Sequence, residues 1–124
     1  MIYLDTHALV WMLAGEVERF SSKGKSLVDK AELIISPMVV LELEFLYEIG
    51  RITQGAEKLI EIATQEHAVR ICSTPWQEVV FAACADHWTR DPFDRLIVAN
   101  ARVNKSNLLS MDRGIRKHYL KAIW

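Results

Sequence analysis

Apolar residues in this chain follow two rhythms. Short runs that lack a polar residue read as strands buried on both faces, and the clearest are Met1-Ile2-Tyr3-Leu4, Leu33-Ile34-Ile35 after Glu32, and Leu108-Leu109. Ala68-Val69-Arg70-Ile71-Cys72 is a weaker run, and Ala122-Ile123-Trp124 offers a last strand. Between these runs, apolar residues recur at helical spacing. Ala8, Leu9, Trp11 and Met12 follow the first strand, and Ser22 to Lys30 reads as a short exposed helix after a turn at Gly15. Ser36 as N-cap and Pro37 as first residue start a helix whose Met38, Leu41, Phe45 and Ile49 recur up to Gly50. Gln54 to Glu66 forms another, with Leu59, Ile60 and Ala63 turned inward, and Thr74-Pro75 opens a further helix through Ala85. Asp91-Pro92-Phe93-Asp94 starts the most hydrophobic helix, carrying Leu96, Ile97, Ala99, Ala101 and Val103 to Asn104, and a basic helix spans Arg113 to Leu120.

Strands alternating with helices predict an α/β chain built on a parallel sheet covered on both sides. Its 124 residues fit one domain, residues 1–124, with no repeat, linker or low-complexity tract. No leader pattern and no apolar run of membrane-spanning length occurs, so a cytoplasmic protein is expected. Cys72 and Cys84 lie in apolar surroundings without a paired motif and read as buried, reduced thiols.

Charge changes the picture more than composition does. The net charge is −1, but residues 1–85 carry 7 Lys/Arg against 12 Asp/Glu, whereas residues 86–124 carry 8 against 4. The C-terminal third is therefore basic, either as an ordinary solvated helical surface or as a field for a polyanion.

Four segments set acids at or near the start of a helix or a turn into one: Asp5, Glu42, Asp91 with Asp94, and Asp112. Singly, Asp5, Asp91 and Asp112 can be N-caps. Glu42 is harder to place, because it lies among apolar neighbours and interrupts the face of an otherwise buried helix, where an unpaired carboxylate is costly to desolvate. Right-handed crossovers bring the carboxyl ends of parallel strands, and with them Asp5 and Asp112, to one edge. No matching set of basic residues accompanies the acids. A divalent cation with oxygen ligands would hold them ionised; scattered caps and partly exposed acids remain the competing reading.

The segments that carry these acids resemble a known family. Tyr3-Leu4-Asp5-Thr6-His7-Ala8-Leu9-Val10-Trp11, Ile35-Ser36-Pro37-Met38-Val39-Val40-Leu41-Glu42-Leu43, Asp91-Pro92-Phe93-Asp94-Arg95-Leu96-Ile97-Val98-Ala99-Asn100-Ala101 and Leu108-Leu109-Ser110-Met111-Asp112 resemble, in order and spacing, the four signatures of PIN-domain ribonucleases. The resemblance is greatest to the VapC-type toxins of bacterial toxin–antitoxin pairs. It implies a three-layer α/β/α PIN-like domain around a central parallel sheet of four to five strands, with a Mg2+- or Mn2+-dependent endoribonuclease site at its carboxyl edge. By position it implies that Asp5, Glu42, Asp94 and Asp112 are the catalytic acids, with Asp91 an added acid. Asp5 and Asp94 would be the firmest metal ligands, and Glu42 and Asp112 would bind through water or a second ion. Thr6 and Ser110 would orient ligands or hold substrate phosphate, unless they serve simply as caps.

The same resemblance implies cleavage leaving a 5′-phosphate and a 3′-hydroxyl, a cognate antitoxin and a homodimer, with Leu46, Tyr47 and Ile49 offering an apolar face. Arg90, Arg95, Arg102, Arg113, Arg116 and Lys117 are then candidates for RNA-backbone contacts. Arg95 has a second reading as an i, i+4 partner of Asp91. His87 reads as a surface histidine. Three rival functions compete with the nuclease. A haloacid-dehalogenase-type phosphatase needs an Asp-x-Asp pair, and here His7 stands two after Asp5. The second rival is a catalytically silent PIN-like module that binds RNA or protein, and the third is a structural domain whose acids are caps.

Overall fold

The computed structural model describes residues 1–124. Five short strands form one sheet: β1 (Ile2–Leu4), β2 (Leu33–Ile35), β3 (Arg70–Ile71), β4 (Asn107–Leu109) and β5 (Ala122–Ile123). All neighbours pair in parallel, in the order β3-β2-β1-β4-β5. Seven α-helices connect them: α1 (Thr6–Leu13), α2 (Ser22–Lys30), α3 (Pro37–Glu48), α4 (Ala56–His67), α5 (Trp76–Ala83), α6 (Pro92–Val103) and α7 (Arg113–His118). A single 3-10 turn, Val17–Arg19, lies between α1 and α2.

The chain steps from β1 outward to β2 and β3, then crosses back to β4 and on to β5. Right-handed connections running in opposite directions set their helices on opposite faces, which gives the three-layer α/β/α arrangement. The reversal falls between β1 and β4, and ligands of such sheets bind outside the strands' carboxyl ends at that switch point. Asp5 follows β1 there, its amide donating to the Leu109 carbonyl at 3.1 Å, and Ser110 follows β4.

The three central strands are apolar because both faces are covered. Ile2, Tyr3, Leu4, Ile35, Leu108 and Leu109 are essentially inaccessible and anchor a core of 23 residues that also takes in Leu9, Val39, Leu43, Ile97 and Ile115. One polar knot interrupts it. The Tyr3 hydroxyl donates to Cys72 Sγ at 2.9 Å, Asn100 Nδ2 donates to the same sulfur at 3.2 Å, and Thr74 and Asn104 close the group. Burial pushes the Cys72 thiol up, but its bonds with Thr74, Tyr3 and Asn100 outweigh that and leave it below its ordinary pKa. Tyr3 is raised, by burial first and by its bond to Cys72 second.

Several local expectations are corrected. On α3 the core-facing residues are Val39, Leu43 and Leu46, while Leu41, Phe45 and Ile49 are exposed. The 38/41/45/49 spacing and the 39/43/46 spacing both satisfy a helical period, and the sheet selects the second. Leu46 accordingly belongs to the core and not to an outer face with Tyr47 and Ile49. Thr74 does not cap α5, because its hydroxyl is engaged with Asn104 Oδ1 at 3.1 Å, and Pro75 stands at the cap instead. Ala68 is not strand: at φ 53 and ψ 30 it ends α4 in the left-handed region. Cys84 is exposed, unlike the buried Cys72. No helix is long and apolar enough to cross a membrane.

Candidate active site

The acids reach the sheet edge through local rules of helix initiation. Asp5 is the N-cap of α1 and accepts the Ala8 amide at 2.8 Å. Asp91 caps α6 through the amides of Phe93 at 2.8 Å and Asp94 at 3.4 Å, with Pro92 next in the first turn. Asp112 caps α7 through the Ile115 amide at 2.8 Å, and its own amide donates to Ser110 Oγ at 3.1 Å. Capping thus fixes three carboxylates at the sheet edge. Ser36 caps α3, accepting the Met38 amide at 3.1 Å, and so aims the helix that carries Glu42.

These caps face one cavity of about 170 Å3, lined by Asp5, Thr6, His7, Glu42, Asp91, Asp94, Ile97, Asp112 and Ile115. Five carboxylates from four segments, spanning positions 5 to 112, therefore share one recess. Thr6 is buried at its wall, and its hydroxyl donates to Glu42 Oε1. Ser110 is fully buried behind the rim, bonded to the Asp112 amide and holding the Asp5 pKa down.

The electrostatics follow from this crowding. Burial pushes Asp5 above the usual carboxylate range, opposed by Ser110 and the Ala8 amide. Burial also raises Glu42, opposed by Thr6. Asp94 is pushed up to about 7, by desolvation first and then by Asp91, Asp112, Glu42 and Asp5. No lysine or arginine lines the recess, and His7 is its one basic residue. A divalent cation would supply the missing positive charge, and carboxylate oxygens are the hard donors such an ion takes. No three acid, histidine or cysteine side chains stand together as a ready-made chelate.

The basic residues are dispersed. Arg113, Arg116 and Lys117 are exposed on α7, and Arg90 is exposed just ahead of Asp91. Arg95 neither pairs with Asp91 nor points freely outward. Its Nε donates to the Ala83 carbonyl at 3.3 Å and its guanidinium to that of Cys84 at 3.5 Å, at the negative end of α5. Arg102 forms a two-pronged ion pair with Asp86, at 3.1 Å for one prong and 2.5 Å for the other, while its side chain stays 36% exposed. Asp86 is only 3% exposed and sequence reading passed over it, since its partner lies 16 residues away. His87 is exposed, as expected.

The PIN domain family model matches residues 2–120. This chain belongs to the PIN-domain family. The PIN domain described here is 32% identical over 120 residues to Ribonuclease VapC22 of Mycobacterium tuberculosis, a match covering 94% of this chain and 91% of that protein. Its fold is similar to a chain of VapBC2 from Rickettsia felis bound to a promoter DNA fragment, with TM-score 0.68, 16% identity and coverage of 99% and 96%. It is also similar to a chain of a toxin–antitoxin complex from Klebsiella pneumoniae, with TM-score 0.65, 12% identity and coverage of 100% and 97%.

His7 is the lining residue that sequence reading missed as part of the site. Its place two residues after Asp5, at the start of a helix, was the available signal. Its ring packs against Trp11 at a centroid distance of 5.7 Å.

Proposed function

We propose that this PIN domain is a divalent-metal-dependent endoribonuclease and the toxin of a toxin–antitoxin pair. The observation that carries the reading is the recess itself: five carboxylates converge from distant parts of the chain with no lysine or arginine among them. Membership of the PIN-domain family and the likeness to Ribonuclease VapC22 over nearly the whole chain support it. The likeness in fold to chains of toxin–antitoxin complexes supports an antitoxin as protein partner. The exposed Leu41, Phe45 and Ile49 of α3 provide apolar area for a second copy of the chain.

In this reading Asp5 and Asp94 would be the residues that hold Mg2+ or Mn2+, Glu42 and Asp112 would complete the site through water or a second ion, and Asp91 would add a further acid at its rim. Such an ion would supply an acidified water and relief of charge at the phosphodiester. The chain's own residues prepare that chemistry. The Ala8 amide with Ser110 fixes the Asp5 carboxylate and the Ile115 amide fixes that of Asp112, so both are held in place without rotational search. Thr6 orients Glu42, and Ser110 orients the turn that carries Asp112. With the acids neutralised, the exposed Arg90, Arg113 and Lys117 would hold the RNA backbone, together with Arg116, whose guanidinium also donates to the Met111 carbonyl at 3.1 Å.

Incubation of the purified protein with RNA, with and without Mg2+ or Mn2+, tests this. Cleavage that needs the ion and disappears in folded Asp5→Asn and Asp94→Asn variants is expected. Cleavage that persists in either variant would overturn the assignment.

A further inference from the structure

A second concavity, of different character, lies where the end of α5 meets the start of α6. Its volume is about 300 Å3, and Val80, Cys84, Arg90, Pro92, Arg95 and Leu96 line it. The first turns of α6 form a partition between the two recesses. Asp91 and Asp94 line the acid cavity on one side, and Pro92, Arg95 and Leu96 line this one on the other.

The two recesses are complementary in chemistry. One is acidic and holds about 170 Å3, room for a phosphate and its ions but not for the nucleosides attached to it. The other joins an apolar wall to two cations. Arg95 is locked by the α5 carbonyls, so it lends positive potential from a fixed place. Arg90 is exposed and makes no ion pair within the chain, which leaves its fork available to a ligand. A ligand that is flat and apolar at one end and anionic at the other satisfies both features.

We propose that this concavity is a nucleotide subsite, taking one unpaired nucleotide of the RNA next to the scissile bond. The base lies against Val80, Pro92 and Leu96, and a phosphate sits on Arg90. This rests on the ribonuclease reading. The two recesses flank the first turns of α6, so an RNA strand that crosses the start of that helix passes from one to the other. A base held in a duplex cannot turn into a recess between two helices without leaving its stack, so the subsite selects single-stranded or looped RNA.

Cys84 reports on occupancy, because it lines the recess and is exposed, whereas Cys72 is buried. Two measurements are combined. Cleavage kinetics on a short single-stranded RNA are compared for the wild type, Arg90→Ala and Val80→Trp, the last filling the recess from an exposed position. Alkylation of Cys84 by iodoacetamide is then followed in Asp94→Asn protein with and without that RNA, and with the same sequence as a duplex. A KM roughly tenfold higher in both variants, with kcat within about twofold, is expected, because Val80→Trp occupies the place of the base and Arg90→Ala removes the phosphate contact, each a loss on the order of 1.4 kcal/mol. For Arg90→Ala the salt dependence of binding should also flatten, by about 0.7 in log–log slope, which a merely structural arginine would not change. Single-stranded RNA should slow Cys84 alkylation and the duplex should not.

Wild-type KM values in both variants, or undiminished alkylation when RNA is demonstrably bound, would overturn the subsite while leaving the nuclease reading intact. Protection by an acidic peptide but not by RNA would overturn it too, assigning the recess to a protein partner. Absence of cleavage of any RNA by the wild type with Mg2+ or Mn2+ would instead sink the nuclease reading, and the subsite with it.

Discussion

Replacing Asp94 with asparagine reads out the crowding of the acid cavity most cleanly. Nothing in its surroundings donates a hydrogen bond that stabilises its charged form; desolvation and four neighbouring carboxylates all oppose it. Its pKa rises from 3.8 to about 7 in the folded protein. Between those values the unfolded chain gives up the proton while the folded chain keeps it. Ionising Asp94 therefore costs the fold more as pH rises, and the whole cost is present above about 7. The span from 3.8 to about 7 corresponds to about 4 kcal/mol at 1.36 kcal/mol per pH unit. Asp94 is only half-buried, so solvent screening removes about half of that. Asparagine keeps the shape and gives up about 0.5 kcal/mol of favourable interaction with the α6 N-terminus. Asp94→Asn in EDTA at pH 8 should therefore be more stable than the wild type by about 1.5 kcal/mol, a Tm higher by about 5 °C. The gain should shrink at pH 5 and vanish near pH 4, and Mg2+ should narrow it at pH 8 by stabilising the wild type selectively. Thermal unfolding by calorimetry across pH 4 to 8 measures this. A destabilised variant at pH 8, or a gain independent of pH, would refute the reasoning that these acids repel one another in one recess.

Other outcomes follow from particular contacts. Thr6→Val removes the hydroxyl that orients Glu42 and should lower metal-dependent cleavage by about 10- to 100-fold with the fold retained, checked by kinetics beside circular dichroism. Arg102→Ala leaves the Asp86 carboxylate, 3% exposed, with only the Trp88 indole N–H at 3.3 Å as a side-chain donor and should cost about 3 kcal/mol in urea unfolding, whereas a change within experimental error would contradict a structural role for the pair. Ala68→Gly relieves a left-handed residue at the end of α4 and should raise stability by about 1 kcal/mol, measured the same way. Tyr3→Phe deletes the 2.9 Å bond to Cys72 at the centre of the core and should destabilise by about 1 kcal/mol.

What could be read from sequence and what could not divides along the range of the interaction responsible. Asp5, Ser36-Pro37, Asp91-Pro92 and Asp112 are caps whose partners lie two or three residues away, so the helix starts near the recess were legible in the chain. The order of short apolar runs and helices likewise announced a parallel sheet, which then brings the caps to one edge. The inward face of α3 was not legible, because apolar residues occupy both of its sides and only the sheet decides between Leu43 and Phe45. Long-range polar contacts were equally hidden. Thr74 looks like a cap until Asn104 claims its hydroxyl, and Arg102 looks like a surface cation until Asp86 is found buried beside it. The contacts that hold Arg95 were hidden in the same way, since the carbonyls it meets belong to another helix.

Everything proposed for this PIN domain depends on carboxylates spread from Asp5 to Asp112 forming one divalent-ion site. Crystals grown with Mn2+ test it directly through anomalous scattering. An anomalous peak is expected in the recess at about 2.1 Å from carboxylate oxygens of Asp5 and Asp94, lost in Asp94→Asn crystals; Mn2+ bound only elsewhere, or a peak that survives that substitution unchanged, would contradict it.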